Sequence, residues 1–398
     1  MSTYTTILQR PLDAISWEDD NFIEELLEVV QLFRPFSVAI SEFITERGYI
    51  GEAENIEAKV SYIRAAFSKA NMDAPREVRE WFTLQQPVKR DTAFQICFAF
   101  GLDGSETDEF FRRIYARERS FNCHQVQEAI YYFCLNNGLT WADAMDIQSR
   151  VPLAGKEKTS GDVVYTGSII AELNDLESKD EMITWLNENI DKFTTSNVTA
   201  YETIRRLWEL TAGPNGLLIQ EHESPKLTSI LDDSATDRTK KLNFGATGVK
   251  LYDAYLAILQ LDKKDVKRLE TDRSIKPILE KLHDGIQDSF PDRQGIDLIL
   301  RGEHVSYERV RKWLVLLTFY TWWARKAIEK EDYAADSGDA DRSIATINQY
   351  LIESGYPELY VGNPYDWIFF YAAKNEVPLF AFRYIWNELL VDTLEEHQ

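Results

Sequence analysis

Residues 88–112 read VKRDTAFQICFAFGLDGSETDEFFR, and this stretch decides the fold class. Apolar residues recur through its first half at helical spacing, and Gly101 stands where a helix-ending glycine is expected. The segment Ser105–Asp108 has the form of a capping box, which predicts a second helix that carries Phe110 and Phe111. Strand-like alternation is missing from the whole stretch, so the pattern indicates an all-α protein.

The same periodicity and capping patterns recur along the rest of the 398-residue chain. Glycine (18 residues) and proline (12 residues) are sparse, which favours long helices over turn-rich β-structure. The apolar run 313–324 is shorter than the ~20 residues of a membrane span, so it predicts a buried core helix. We therefore predict a multi-helical fold with most residues in helices. The buried residues of the core helix are predicted to include Trp313, Leu314, Leu317 and Phe319.

Shifts in composition divide the chain into four predicted helical regions. These are an acidic N-terminal segment (1–57), a helix-turn-helix-like domain (58–150), a middle region (163–210) and a C-terminal domain (248–398). The segment 151–162 is a predicted linker. Helical periodicity breaks between 211 and 247, which predicts a long loop there.

The C-terminal domain carries a second copy of the 88–141 pattern. Residues 128–141 (EAIYYFCLNNGLTW) align with 366–379 (DWIFFYAAKNEVPL), each with an acidic residue followed by two adjacent aromatic residues. Residues 88–100 align in the same way with 305–317. The alignment predicts a duplicated helical unit. The alternative is that any two buried helices in an aromatic-rich protein look alike.

Charge limits where this chain can meet nucleic acid. The formal net charge is −22, and a uniformly acidic surface repels phosphate backbones. Two windows depart from this average, since 61–120 has a net charge of +1 and 238–281 has a net charge of +5. Any nucleic-acid contact is therefore expected within these two windows.

Residues 62–83 read YIRAAFSKANMDAPREVREWFT and predict a helix, a turn and a short helix before the two helices of 88–112. This order resembles the lambda-repressor-like (XRE-type) helix-turn-helix domain, in the variant marked by Pro87, Arg90-Asp91 and Gly101-Leu102-Asp103. The resemblance implies a compact five-helix domain whose third helix can enter a DNA major groove.

Carried over to this chain, the resemblance places the recognition helix at about 75–82. Val78, Trp81 and Phe82 share one face of such a helix, so we expect them to pack inward.

Two arginines, Arg76 and Arg79, lie on the opposite face of the predicted recognition helix, within reach of base edges or phosphates. Glu77 and Glu80 share that face, so its formal charge is zero. The face therefore has two interpretations, a DNA-reading surface or the solvated face of a domain that has lost DNA binding. The candidate DNA-binding residues from both basic windows are Arg76, Arg79, Lys89, Arg90, Lys263 and Lys264.

The whole chain also resembles a group of uncharacterised proteins from Firmicutes and their mobile elements, which carry NPYDW-type motifs near the C-terminus. The motif stands here at 363–367. The resemblance implies no mechanism.

Recognisable catalytic and metal-binding patterns are missing from the sequence. It contains no phosphate-binding loop, no nucleophile elbow and no paired cysteines at zinc spacing. The three cysteines, Cys97, Cys123 and Cys134, are expected to be reduced core thiols. We therefore expect a cytoplasmic protein that is not an enzyme, binds no cofactor or metal and does not enter a membrane.

These features support two main hypotheses on function. The leading one is a regulatory protein that combines a degenerate DNA-binding helix-turn-helix with a helical domain that senses or binds a protein partner. The alternative is an acidic interaction protein without DNA binding, which engages a basic partner or mimics nucleic acid, for example in mobile-element or phage conflict. An enzyme of unrecognised type is a third class. The acidic segment 13–28 is a candidate cover for the recognition helix, and the oligomeric state is not predicted.

Overall fold

The structure is a computed structural model that describes most of the chain. The described residues are 12, 15–16, 25, 28–29, 35–83, 88–115, 120–121, 123, 125–152, 166–193, 198–223, 244–245, 248–260, 293–329 and 335–385. The chain forms two compact units. The 34–198 unit consists of those residues with 355–357, and the C-terminal unit consists of 199–354 and 358–398 with 1–33. The helix-turn-helix-like domain predicted at 58–150 lies inside the 34–198 unit.

Short helices build the 34–198 unit. They are α1 (Phe36–Glu46), α2 (Ile56–Lys69), α3 (Glu80–Thr83), α4 (Arg90–Ala99), α5 (Gly104–Phe110), α6 (Val126–Asn136), α7 (Trp141–Arg150), α8 (Thr166–Asn174) and α9 (Lys179–Asn189). A 3₁₀ turn (Arg76–Arg79) leads into α3, a π turn (Phe111–Tyr115) follows α5, and a 3₁₀ turn (Ile190–Lys192) follows α9.

The C-terminal unit is also helical. Its helices are α10 (Val198–Ala212), α11 (Leu217–Glu223), α12 (Leu251–Leu259), α13 (Arg293–Arg301), α14 (Tyr307–Glu329), α15 (Asp339–Glu353) and α16 (Pro364–Ala373), and 378–385 is helical as well. Two two-residue strands, β1 (Phe244–Gly245) and β2 (Gly248–Val249), pair antiparallel, with Phe244 opposite Val249. Most described residues are helical, so the all-α prediction is confirmed.

The corner between α4 and α5 forms two residues earlier than the sequence predicts. Gly101 has φ +63°, and the N–H of Leu102 donates to the carbonyl of Cys97 at 3.0 Å, which closes α4 in a Schellman motif. Asp103 then accepts a hydrogen bond from the N–H of Glu106 at 2.8 Å and starts α5 with a capping box. The predicted cap at Ser105 is therefore wrong, because the Schellman turn leaves Asp103 as the first extended residue.

A second corner of the same design joins α6 to α7. Gly138 also has φ +63°, and the N–H of Leu139 donates to the carbonyl of Cys134 at 2.8 Å. Thr140 and Asp143 form the capping box that starts α7. Both corners are encoded by a glycine, a leucine and a capping side chain in consecutive positions.

The long helix α14 is the core of the C-terminal unit. The side chains of Trp313, Leu314, Leu317 and Phe319 are all fully buried, as predicted. Phe319 packs edge-on against Phe369 of α16, with ring centroids 5.2 Å apart. The middle of the helix is apolar nearly all round, and every residue of 310–321 is buried.

The long loop predicted at 211–247 is wrong in its first part. Helix α10 continues to Ala212, a tight turn follows, and α11 occupies Leu217–Glu223. The sequence TAGPNG (211–216) is rich in turn-forming residues, and the seven-residue α11 is too short for helical periodicity to be visible.

A buried ion pair joins α4 to α6 in the 34–198 unit. The guanidinium of Arg90 donates to both carboxylate oxygens of Glu128, at 2.7 and 2.8 Å, and to the carbonyl of Ser120. The same guanidinium lies 5.4 Å from the ring centroid of Phe94 and 5.2 Å from that of Phe111. These contacts fix the crossing of the two helices.

A matching ion pair joins α14 to α16 in the C-terminal unit. Arg311 donates to both carboxylate oxygens of Asp366, at 2.7 and 2.8 Å, and both side chains are buried. Asp366 also accepts a hydrogen bond from the backbone N–H of Tyr360. Asn363 caps α16 and Pro364 begins it, so the NPYDW motif has a structural role at the start of this helix.

The two ion pairs occupy matching positions in the two aligned segments, and the duplication itself stays a prediction. Glu128 and Asp366 are aligned with each other, and each is the third residue of its helix. In the predicted alignment of 88–100 with 305–317, Arg90 does not match Arg311. The two arginines match only when this part of the alignment is shifted by four residues, about one helical turn. In this corrected register Phe98 matches Phe319, and each ring contacts the aligned aromatic residue of the second helix.

Candidate nucleic-acid interface

The candidate recognition element is short. Pro75 precedes a 3₁₀ turn at Arg76–Arg79, which runs into the single α-helical turn of α3. At ~2.0 Å per residue in the 3₁₀ part and ~1.5 Å in the α part, the element is about 14 Å long.

The inner face of this element is set by two apolar side chains. Val78 and Trp81 are buried, as predicted, and the Trp81 ring packs edge-on against Phe36 of α1 at 6.0 Å. Phe82 is half-buried, and the ammonium of Lys59 lies 5.5 Å from its ring centroid. These contacts fix which side chains face outward.

The outer face presents two arginines and two glutamates. Arg76, Glu77, Arg79 and Glu80 are all exposed. Arg79 forms an ion pair of 2.8 Å with Glu57 on α2, and both side chains are about two-thirds exposed. The face therefore has no net charge, and a third carboxylate lies against one of its two arginines.

Arg90 is not presented to solvent as a DNA contact would require. Its guanidinium is engaged by Glu128 and by the carbonyl of Ser120, and its side chain is mostly buried. The sequence predicts Arg90 as a candidate DNA-binding residue of the basic window 61–120. Its carboxylate partner is 38 positions away, so the local sequence gives no sign of the pair.

Lys89 is exposed at the N-terminal end of α4. The neighbouring Asp91 is partly buried, and this burial, followed by the nearby Glu128, raises the pKa of its carboxyl group. Lys89 itself is an exposed basic side chain at this end of the unit.

Several predicted features lie outside the described residues. These are Lys263 and Lys264, most of the basic window 238–281, and nearly all of the acidic segment 13–28.

Ion pairs with carboxylates engage basic side chains across the surface of the 34–198 unit. They include Arg47–Glu106, Arg113–Glu46, Arg150–Asp180, Lys179–Asp143 and Lys192–Glu172. Each such carboxylate lowers the positive potential that a phosphate would meet. Within the described part of the window 61–120, carboxylates pair with Arg79, Arg90 and Arg113.

The cysteine thiols are buried and unreactive. Cys97, Cys123 and Cys134 carry no disulfide, and burial raises the pKa of each thiol, in Cys134 to about 12. Within the described ranges, no cluster of histidine, cysteine and acidic side chains could hold a metal ion. None of the helices in the described part of the chain has the length and apolarity that a bilayer crossing requires.

Comparison with known proteins adds no relative. No protein family matches the chain, and no curated protein or solved structure is significantly similar to it.

Proposed function

We propose that this chain is a non-enzymatic interaction protein whose 34–198 unit binds a basic partner protein. The observation that carries the proposal is the exposed side chain of Ile50, which lies between α1 and α2 with exposed carboxylates nearby. The outer face of the helix-turn-helix-like element argues against DNA, because Arg76 and Arg79 stand beside Glu77 and Glu80, and Arg79 is paired with Glu57.

Binding to DNA depends on basic side chains that neutralise phosphates and release counterions. A face without net charge, on a chain of net charge −22, provides little of that driving force. The Arg79–Glu57 pair itself is exposed and contributes only about 0–1 kcal/mol. The greater obstacle is the repulsion between phosphates and the three carboxylates around Arg79.

The loop between α1 and α2 supports a protein partner. Ile50 is 99% exposed, which leaves its whole side chain available for an apolar pocket. Glu52 and Glu54 beside it are also exposed. An apolar anchor with flanking carboxylates matches an apolar pocket with a rim of lysine or arginine.

The loop is rigid, so the exposure of Ile50 is built into the fold. The hydroxyl of Tyr49 donates to the carbonyl of Glu52 at 3.1 Å, and the Tyr49 ring packs against Tyr62. A Cβ atom at Gly51 would lie 2.2 Å from the Tyr49 hydroxyl oxygen, so a side chain there would displace the Tyr49 ring. A preorganised loop loses little conformational entropy when it binds.

The test compares affinity capture by the wild type, by Ile50→Asp and by the control Glu188→Lys, which changes an exposed carboxylate on α9. We expect a basic protein that is retained by the wild type and the control but lost from Ile50→Asp. In parallel, the wild type is titrated with a labelled 30-base-pair duplex at low and physiological salt. Tight duplex binding at physiological salt would refute the proposal.

A DNA-binding regulator is the second candidate function. It is favoured by Arg76 and Lys89, which are exposed and form no ion pair within 4.0 Å of a described carboxylate. If the chain binds DNA, Arg76→Glu together with Arg79→Glu should abolish binding, because the outer face would then carry four carboxylates. The control Arg64→Glu, also exposed, should retain most of the affinity.

A further inference from the structure

A groove of about 550 Å³ opens in the C-terminal unit, between α10, the turn that follows it, α11 and the end of α14. Its volume lies within the range of sites for small molecules, ~300–1,000 Å³. The apolar part of its lining consists of Pro214, Leu210, Leu217 and Ile328. The side chain of Leu210 is 43% exposed, so it is open to a ligand.

The two long helices contribute the same set of side chains to the groove. Helix α10 provides Arg206, Glu209 and Leu210. Helix α14 provides Arg325, Ile328 and Glu329. In both helices the arginine is followed three and four positions later by one acidic and one aliphatic residue. Each helix thus places a cation, an anion and an aliphatic group on one face.

The two arginines of the groove, Arg206 and Arg325, form no ion pair with the described carboxylates. Arg325 and Glu329 nevertheless have the spacing for such a pair. Arg206 lies 5.6 Å over the ring of Tyr350. This differs from the 34–198 unit, where carboxylates engage many arginines. The groove therefore offers both cations and anions to a ligand.

The turn that forms one wall of the groove is tightly built. Asn215 has φ +59°, in the left-handed region that asparagine adopts more readily than most residues. The side-chain amide of Gln220 donates to the carbonyl of Asn215 at 2.7 Å and holds it. At Gly216, a Cβ atom would lie 2.6 Å from the carbonyl oxygen of Thr211, so the wall admits no side chain there.

We propose that this groove binds a free amino acid with an apolar side chain. Its carboxylate would pair with Arg206 and Arg325, and its ammonium with Glu209 or Glu329. Its side chain would cover Leu210 and the aliphatic residues next to it. A zwitterion fits better than a simple anion, because an anion would leave both glutamates facing the ligand without a cation. The proposal is independent of the partner binding by the 34–198 unit.

The experiment is a ligand-observed NMR titration of the full chain with three matched compounds. L-Phenylalanine carries both charges, L-phenylalaninamide lacks the carboxylate, and N-acetyl-L-phenylalanine lacks the ammonium. We expect L-phenylalanine to bind with a Kd of about 0.1–1 mM, from the usual efficiency of small ligands. Each of the other two compounds should bind at least about 10-fold more weakly, since each loses charge-assisted hydrogen bonds.

The matched protein variants are Arg206→Gln and Arg325→Gln, with Arg301→Gln as the control on an exposed arginine outside the groove. Each groove variant should weaken L-phenylalanine binding about 10-fold, and the control should leave it unchanged. All three residues are exposed, so folding is expected to persist and is checked by circular dichroism. Two results would overturn the proposal, namely no L-phenylalanine binding below about 10 mM, or equal affinity for the three compounds.

Discussion

Removal of one partner from the buried Arg90–Glu128 pair should destabilise the 34–198 unit strongly. The change is Glu128→Leu, which removes the carboxylate partner of the Arg90 guanidinium and leaves that charge beside the rings of Phe94 and Phe111. The expected cost is about 3 kcal/mol. This is the lower end of the ~3–5 kcal/mol range for a broken buried pair, because the Arg90 side chain is 18% exposed.

The double variant Arg90→Met/Glu128→Leu shows how much of this cost comes from a buried charge that has lost its partner. Two apolar side chains of similar volume leave no charge without a partner, so the double variant should lose no more than about 1 kcal/mol. The coupling free energy between the two positions is then about 2 kcal/mol or more. Asp366→Leu applies the same change to the matching pair with Arg311, where both side chains are more deeply buried.

The assay is urea unfolding at pH 7, followed by circular dichroism at 222 nm, with each transition of the full chain fitted separately. A cost below about 1 kcal/mol for Glu128→Leu, with no coupling in the double variant, would refute the structural role assigned to Arg90. It would also return Arg90 to the group of residues available for nucleic acid.

Three further predictions concern stability. Trp313→Ala should cost about 3–5 kcal/mol, because the side chain is fully buried, and a urea-unfolding loss below about 1 kcal/mol would contradict the packing of α14. Gly101→Ala should cost about 1 kcal/mol although space for a Cβ atom exists, since φ is +63°. A variant that unfolds at the same urea concentration as the wild type would contradict this prediction. Hydrogen bonds from Lys179 and Thr140 lower the pKa of Asp143 to about 2, so its contribution is complete above about pH 4 and is lost as the pH falls towards 2. Asp143→Asn should therefore lose about 1 kcal/mol at pH 7, and thermal melts of variant and wild type should converge near pH 2.

Features set by nearby residues could be predicted from the sequence. The inward face of the 76–83 element was correct because Val78 and Trp81 alone determine which side packs against the core. Burial of α14 was correct for the same reason. The cap at Ser105 failed by two residues, since the Schellman turn at Gly101 and the capping box compete for the same short segment.

Features that depend on distant residues could not be predicted. Arg90 stands in a basic run, and its partner Glu128 belongs to another helix. The groove in the C-terminal unit combines Arg206 with Arg325, which are more than 100 positions apart in the sequence. No local pattern indicates that such residues meet. That neither arginine forms an ion pair with a described carboxylate becomes visible only when the neighbours of each are known.

The two glycine–leucine corners have a consequence for the order of folding. Each corner is closed by hydrogen bonds between residues no more than five positions apart, so it can form within an otherwise unfolded chain. The Arg90–Glu128 contact spans 38 positions, and the first corner lies within the loop that this contact closes. A longer loop has a larger entropic cost of closure. We expect the corners to be formed in the folding transition state and the ion pair to form after it. Changes at Gly101 should then slow folding, whereas changes at Glu128 should mainly accelerate unfolding.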